Sequence, residues 1–367
     1  MTPDSRREAP ARGPRTALLL LVLAVVLAVV LAVAGTTALG ALPARAESGP
    51  PTVIGSPKPI VASNFADPAV ERLGGGYVGF ATGERAPRAW VRSRNGRWQR
   101  GGPALSRLPS WSRAGDIWAA DVTRVRGWWL LYYSAPVKGL GPYGRCIGVA
   151  RSRSALRGFT PVGDAPLVCP SYVKTPPAGD PLAPRDTTLP RAGVIDPSVH
   201  QGSDGLVLLY KTDRIPSSIR LVQLNRTGTR VRPGAVSVEL LRHDGVLENP
   251  VLLAQPQGWV LLLSEGDYTR CTYRTVWLRS PVLTDWSAPE YGVLLDRATT
   301  GLCGPGGADV AGNRIFLHGW TCHRIVRPCA SGFDWSKRTK QRAQRAMYAA
   351  RLNWVDGLPR IGRWVRP

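Results

Sequence analysis

The sequence predicts an all-β fold, a five-bladed β-propeller with four antiparallel strands in each blade. The first observation is a template that occurs three times, in which an acidic residue comes shortly before a proline and a valine. Asp67, Asp196 and Glu248 lead the three copies, and residues 119–122 and 307–310 keep the layout without the leading acid. The valines of the five copies lie at positions 70, 122, 199, 251 and 310. Irregular repeats of about fifty residues are typical of propeller blades.

The second observation concerns the strands within each repeat. After a turn that contains glycine or asparagine, every copy has a second apolar run, as at residues 127–133 and 258–263. A third run carries alanine, serine or arginine, and a fourth, more exposed segment often holds an aromatic residue, namely Trp98, Phe159 or Trp286. Short apolar runs between Gly, Pro, Asp and Asn are typical of strands. Four strands in each of five repeats predict the propeller, and the alternative is a generic β-sandwich.

The first 46 residues predict a secretory signal peptide. Four arginines precede an apolar stretch at residues 17–33, and the segment ends in Ala44-Arg45-Ala46, which fits the A-x-A cleavage pattern. Because the apolar stretch is long, an uncleaved N-terminal membrane anchor is the alternative. In both cases residues 50–367 form one propeller domain outside the cytoplasm, either secreted or anchored to the membrane.

The six cysteines indicate disulfides, because an even number is typical of proteins from an oxidising compartment. Their positions favour the pairs Cys146 with Cys169, Cys322 with Cys329, and Cys271 with Cys303, although six cysteines allow fifteen connectivities. No C-x-x-C pair and no Cys/His cluster with zinc spacing is present in the sequence, so the pattern argues against a zinc site.

The formal net charge of +23 is carried mainly by arginine and is spread through every repeat. A nucleic-acid-binding protein is not indicated, since no nucleic-acid-binding module is recognisable. A secreted basic protein instead favours association with an anionic cell envelope or an acidic polysaccharide. We expect the propeller to be a monomer.

The three acids suggest a catalytic site. In a propeller the innermost strand of every blade lines the central channel, so residues at the same template step converge at one mouth. Convergent carboxylates raise at least one pKa, which allows a protonated acid and an ionised base to coexist. Glycoside hydrolysis requires such a pair. The alternative for each single acid is an Asp that only caps a turn before proline.

Five segments resemble glycoside hydrolase family 43, the five-bladed family of arabinanases, arabinofuranosidases and xylosidases. The resemblance extends from about residue 55 to 365. The matching segments are Asn64-Phe65-Ala66-Asp67-Pro68, Trp118-Ala119-Ala120-Asp121-Val122, Ile195-Asp196-Pro197-Ser198, Glu248-Asn249-Pro250, and the closing residues 350–359. The second segment has Ala120 where the family has proline.

The resemblance implies that Asp67 is the general base, that Glu248 is the general acid, and that Asp196 tunes the pKa of the acid and holds it in position. It also implies inversion of the anomeric configuration, for which the two carboxyl groups lie roughly 6.5–9.5 Å apart. For substrate binding we expect Trp118 and Phe65 to stack on sugar faces, with packing between blades as the alternative for both.

Asp121 and His318 are the other two candidates for the substrate-binding site. Asp121 is interpreted as a turn residue or as a residue that hydrogen-bonds a group positioning the substrate. His318 matches a family Y-H-A strand and points either into the channel or into the packing between blades. The family's G-P-G-H segment, whose histidine lies beside a metal ion, is here Gly304-Pro305-Gly306-Gly307. We therefore expect no cofactor, and a structural calcium ion in that form is not favoured.

The functional hypothesis is a secreted inverting glycosidase acting on arabinose- or xylose-containing polysaccharides or oligosaccharides. The alternative is a glycan-binding propeller without catalytic activity at the cell envelope. A retaining fructan-type hydrolase is disfavoured, because its N-D-P-N-G, R-D-P and E-C segments are absent from the sequence. Neither the choice between arabinose and xylose nor that between exo and endo action follows from the residues.

Overall fold

The computed structural model describes residues 57–173, 186–324 and 327–367. The predicted signal segment lies outside the described residues, as does the middle of a Pro-rich insertion between the second and third repeats. Within the part of the chain that the structure describes, no helix is both long enough and apolar enough to cross a membrane.

In the described residues, twenty strands form five antiparallel sheets of four strands, so the predicted five-bladed β-propeller is confirmed. Blade 1 contains β1 (Ala69–Leu73), β2 (Gly76–Phe80), β3 (Pro87–Val91) and β4 (Gln99–Pro103). Blade 2 contains β5 (Trp118–Val125), β6 (Trp128–Pro136), β7 (Arg145–Ser152) and β8 (Thr160–Pro161). Blade 3 contains β9 (Val194–Gly202), β10 (Gly205–Thr212), β11 (Ser217–Gln223) and β12 (Val238–His243).

Blade 4 contains β13 (Leu247–Gln255), β14 (Gly258–Glu265), β15 (Arg274–Ser280) and β16 (Glu290–Leu295). Blade 5 contains β17 (Cys303–Ala311), β18 (Arg314–Thr321), β19 (Gln344–Val355) and β20 (Leu358–Trp364). A short helix, α1 (Arg297–Thr300), joins blades 4 and 5, and a 3-10 turn covers Trp335–Lys337. The first strands of neighbouring blades contact each other around a closed ring, which encloses the central channel.

Both faces of each blade are buried, which explains why the second strands have almost continuous apolar sequences. On β10, Leu208 and Tyr210 pack against blade 2, whereas Leu209 packs against blade 4. On β14, Val260 and Leu262 face blade 5 in the same way. One hydrophobic cluster of this kind lies at each of the five interfaces between blades. The ring is closed where the chain before β1 runs beside β19, with the Ile60 N–H donating to the Met347 carbonyl.

Three disulfides join the pairs that the cysteine positions favour: Cys146 with Cys169, Cys271 with Cys303, and Cys322 with Cys329. The prediction for the fourth strands was wrong in one respect. Trp98, Phe159 and Trp286 precede β4, β8 and β16 rather than lying in them, and both Phe159 and Trp286 are buried. These two aromatic side chains fill the interface between blades, because a large apolar ring is most stable away from water.

Candidate active site

Five backbone positions form a ring at the mouth of the channel where the first strands begin. They are Asp67, Ala119, Asp196, Asn249 and Gly307, with φ angles of 49°, 38°, 56°, 53° and 57°. Left-handed backbone costs about 1–2 kcal/mol for a residue with a Cβ atom. Such strain is concentrated at functional sites, where the surrounding structure maintains it. All five residues line a small cavity of about 30 Å³ between the first strands.

The ring corrects one prediction from the sequence. Glu248 was placed at the same step as Asp67 and Asp196, but the structure has Asn249 in the ring and Glu248 one residue earlier. The first strands β5, β9, β13 and β17 share a one-residue bulge at this step, and on β13 the bulge puts Asn249, not Glu248, at the position equivalent to Asp196. Glu248 nevertheless remains near Asp196, because the Asn249 N–H donates to Oδ2 of Asp196 at 3.1 Å.

Three groups hold Asp67, two of them through its carboxylate and one through its backbone N–H. Nη1 of Arg345 lies 3.1 Å from Oδ1 and 3.3 Å from Oδ2, and the Thr82 hydroxyl donates to Oδ2 at 2.7 Å. The Asp67 N–H donates to Nδ1 of His318 at 3.1 Å. Burial by itself raises the pKa of Asp67, but the charge of Arg345 and the Thr82 hydrogen bond outweigh it and hold the pKa below its ordinary value of 3.8. Asp67 is therefore an ionised carboxylate at neutral pH.

Asp196 and Glu248 have the opposite electrostatic environment. Burial, followed by the negative charge of Glu248, raises the pKa of Asp196 to about 8. Nζ of Lys211, which is buried at the end of β10, lies 3.0 Å from Oε2 of Glu248. Burial lowers the pKa of Lys211, but Glu248 and Asp196 outweigh it and raise the pKa above 10.5, so Lys211 is a permanent cation. The pair of acids thus holds a proton at neutral pH while Asp67 does not.

Tyr273 completes the surroundings of Glu248. Its hydroxyl lies 2.9 Å from Oε1 of Glu248 and 3.0 Å from Oδ1 of Asn249. Burial, followed by the charge of Glu248, raises the pKa of Tyr273 well above 10, so the hydroxyl keeps its hydrogen. Both oxygens of Glu248 therefore contact groups that stabilise its ionised form.

His318 lies below Asp67 and is fully buried, so it does not contact a substrate directly. Its ring stacks on Tyr273 with centroids 5.9 Å apart, and burial lowers its pKa to about 3. The 3.3 Å contact between Nδ1 and Oδ1 of Asp67 is therefore not an ion pair at neutral pH. Because Nδ1 accepts the Asp67 N–H, Nε2 carries the hydrogen, and among the described residues it has no hydrogen-bond partner. His318 thus positions the backbone of Asp67.

The two aromatic candidates differ. The Phe65 side chain is only 2% exposed and packs between blades 5 and 1 with Val70 and Phe316, so the prediction of sugar stacking was wrong for this residue. Neither face of its ring is open to a sugar, because the ring is buried in the interface between the blades. Trp118 is half-buried at the start of β5, and the guanidinium of Arg145 lies over its ring. Stacking of a sugar on Trp118 stays a prediction.

Asp121 lies on the channel wall beyond the ring and joins two blades. Its Oδ2 accepts the Val199 N–H at 2.7 Å, and Asp309 likewise accepts the Val70 N–H at 2.5 Å. Burial, followed by the charge of Asp309, raises the pKa of Asp121 to about 8. Asp121 thus links the inner strands of blades 2 and 3, a role that the sequence did not predict, and the structure favours this link over a contact with the substrate.

Several residues of the site were not found from the sequence: Lys211, Arg345, Thr82 and Tyr273. Lys211 and Arg345 share one weak signal, since each is a cation at the end of an apolar strand. That signal is not specific in a chain with 48 Lys and Arg residues. The contact between Arg345 and Asp67 also spans 278 positions in the sequence.

Gly307 occupies the position in this ring where the family has the histidine of its G-P-G-H segment. A Cβ atom at position 307 would lie 2.6 Å from Nδ1 of His318 and 2.9 Å from Oδ1 of Asp67, so His318 already fills the space. In its present tautomer His318 has no lone pair at Nε2 for a metal. Within the described ranges, no group of three or more His, Cys, Asp or Glu residues is placed to hold a metal ion. These residues do not fit a histidine-linked metal site, and the expectation about calcium stays a prediction.

Replacing Gly307 by Ala is expected to lower kcat at least about tenfold, because displacing a catalytic group by about 1 Å is sufficient for a large loss. The matched control is Gly301→Ala, which has a similar φ of 71° and no atom within 4 Å of the added Cβ. Both variants carry the same backbone strain, so their melting temperatures should fall similarly if strain alone acts. Equal kcat values for the two variants would show that the space around Asp67 tolerates the methyl group.

Comparisons with known proteins bear on the family and on the fold. The family model of glycosyl hydrolases family 43 matches residues 56–359. The fold is similar to that of a thermostable family-43 glycoside hydrolase, with 18% identity, coverage of 85% of this chain and 98% of that chain, and a TM-score of 0.64.

Two further solved structures are similar. An endo-1,4-β-xylanase from Bacteroides thetaiotaomicron VPI-5482 has 20% identity, coverage of 85% and 99%, and a TM-score of 0.59. An α-L-arabinanase from Cellvibrio cellulosa has 19% identity, coverage of 82% and 95%, and a TM-score of 0.56. No curated protein matches the sequence. At these identities, the solved structures show likeness of fold.

Proposed function

The chain belongs to glycosyl hydrolase family 43, and from that premise we propose that it is a secreted inverting glycosidase that cleaves arabinose- or xylose-containing polysaccharides or oligosaccharides. One observation carries the proposal. At a single mouth, Asp67 is held ionised by Arg345, whereas Asp196 and Glu248 together retain a proton. Two acid sites whose pKa values are pushed apart in this way have the properties of a base and an acid.

The proposed mechanism is a single displacement. Asp67 accepts a proton from a water molecule as the water oxygen forms a bond to the anomeric carbon. On the opposite face of the sugar, Glu248 gives its proton to the glycosidic oxygen as the bond from that oxygen to the anomeric carbon breaks. The anomeric configuration is inverted because water attacks in a single step, from the face opposite the leaving oxygen.

The contacts of Glu248 support its role as the acid. As Glu248 loses its proton it becomes an anion, and Lys211 and Tyr273 are already in place to stabilise that anion. Groups fixed before the reaction need no reorganisation when the charge develops. Asp196 and Glu248 share one proton, because ionisation of both would place two negative charges side by side in a buried site.

The substrate class is supported by the family and by the similar solved structures, among which are a xylanase and arabinanases. Export is supported by the three disulfides, which fit an extracellular protein, and by the signal-like pattern of the first 46 residues. A net charge of +23 supports an anionic cell envelope as its surroundings, where the propeller acts as a monomer.

The experiment is hydrolysis of a panel of substrates by the purified protein. The panel contains aryl α-L-arabinofuranosides, aryl β-D-xylosides, debranched arabinan and arabinoxylan. We expect release of pentose from at least one member, and proton NMR of the first product should show the anomer opposite to that of the substrate. Glycan binding without release of sugar would reject the proposal and leave a carbohydrate-binding propeller, while a product of retained configuration would reject the single displacement.

A further inference from the structure

Four aromatic side chains form a cluster on the rim of the mouth, here called the aromatic shelf. They are Tyr268, Trp320, Phe333 and Trp335. Tyr268 comes from the loop between β14 and β15, and Phe333 and Trp335 come from the loop between β18 and β19. The Trp335 ring lies edge-on to Tyr268 and to Trp320, with centroid distances of 6.1 Å and 5.7 Å. Two blades therefore contribute to one continuous aromatic surface.

The aromatic shelf has a buried layer and an exposed layer. Trp320 and Phe333 are 2% and 3% exposed, whereas Tyr268 and Trp335 are 39% and 40% exposed. The disulfides of Cys271 with Cys303 and of Cys322 with Cys329 pack into the same cluster as the buried pair. In addition, Nε1 of Trp320 donates to the Tyr268 carbonyl at 2.8 Å. The buried pair and the two disulfides thus hold the exposed rings in position in the absence of a ligand.

Arg345 connects the aromatic shelf with the catalytic carboxylate. Its guanidinium carbon lies 5.3 Å from the centroid of Tyr268 and 5.8 Å from that of Trp320. The same guanidinium contacts Asp67 at 3.1 Å through Nη1. Tyr268 is therefore separated from the proposed base by a single side chain. A glycan held at the catalytic acids would pass over or beside the shelf.

The exposed surface also has the chemistry that suits a sugar. Flat apolar rings take the C–H face of a sugar, and arginine N–H groups donate to its hydroxyls. Arg338 lies over Trp335 at 4.0 Å, so cations are present at both ends of the aromatic shelf. Those charges disfavour a cationic ligand, since like charges repel. An exposed aromatic patch of this kind is typical of a binding site.

We propose that Tyr268 and Trp335 form a sugar-binding subsite that takes a residue of the glycan chain beyond the sugars joined by the cleaved bond. This inference rests on the proposed glycosidase function. The subsite binds long chains and plays no part in the bond-breaking step. It belongs to this chain's own loops, which the two disulfides hold in place.

The test compares Trp335→Ala and Tyr268→Ala with wild type on two substrates, an aryl monoglycoside and the matching polysaccharide. Only the polysaccharide reaches the subsite. We expect kcat/KM for the monoglycoside to stay within about twofold and KM for the polysaccharide to rise about tenfold, which is the effect of truncating an aromatic binding residue. Trp128→Ala is the matched control, because Trp128 lies at the turn between β5 and β6, away from the mouth, and has the guanidinium of Arg153 over its ring at 3.7 Å.

Two results would overturn the subsite. One is an unchanged KM for the polysaccharide in both variants, and the other is an equal loss on both substrates, which would indicate a disturbed Arg345 instead. If the wild-type protein hydrolyses no substrate, the proposed function fails. Even then, the affinity of wild type and Trp335→Ala for a xylo- or arabino-oligosaccharide, measured by titration calorimetry, tests the subsite separately, and equal affinities would overturn it.

Discussion

Asp67→Asn is expected to lower kcat by about 10²–10⁴-fold on every glycoside that the enzyme cleaves. The amide has the size of the carboxylate but cannot accept a proton from water. Since water must be activated whatever group leaves, the loss should be the same for aryl glycosides and for polysaccharides. Initial rates on one substrate of each kind measure it.

The control for this variant is Asp121→Asn. Asp121 is also an acid of the inner strands, but its Oδ2 accepts the Val199 N–H, and an amide oxygen preserves that bond. We expect its kcat to stay within about fivefold of wild type. Thermal unfolding of both variants checks the fold, because Asp67→Asn also removes the counter-charge of Arg345. Full activity of Asp67→Asn would rule out Asp67 as the base.

The sequence was sufficient to predict the ring at the channel mouth, because the repeats can be aligned with one another and equivalent positions of different blades can be identified. Asp67 and Asp196 precede a proline and then a strand that must line the channel, so their convergence follows from the fold. The predicted position of Glu248 was wrong because the repeats were aligned on their valines. Asn249 directly precedes Pro250, as Asp67 and Asp196 precede their prolines, and a bulge that β9 and β13 share places Asn249 in the ring.

The partners of the acids were beyond sequence reasoning for a different reason. Lys211 is 37 residues from Glu248, and Arg345 is 278 residues from Asp67, so both ion pairs depend on how the blades close. Phe65 shows what the alternation of side chains along a strand cannot predict. Both faces of every blade are buried, so a period of two cannot distinguish a residue facing the channel from one packed between blades.

Glu248→Gln is expected to lower kcat by an amount that depends on the leaving group of the substrate. On arabinan or xylan, kcat should fall by about 10²–10⁴-fold, because the glycosidic oxygen leaves as an alkoxide unless it is protonated. On an aryl glycoside with a nitrophenol leaving group, the loss should be much smaller, since a nitrophenolate is stable without a proton. The ratio of the two losses, from steady-state kinetics at one pH, is the measurement.

The surroundings of Glu248 make this variant a clean test. Without the negative charge of Glu248, the pKa of Asp196 should fall, because that charge is the second cause of its elevation after burial. Asp196 then ionises and serves as the counter-charge of Lys211, so the buried cation keeps a partner and the fold should persist. Equal losses on both kinds of substrate would mean that Glu248 positions the substrate and does not donate the proton. In that case Asp196, which holds a proton to about pH 8, becomes the stronger candidate for the acid.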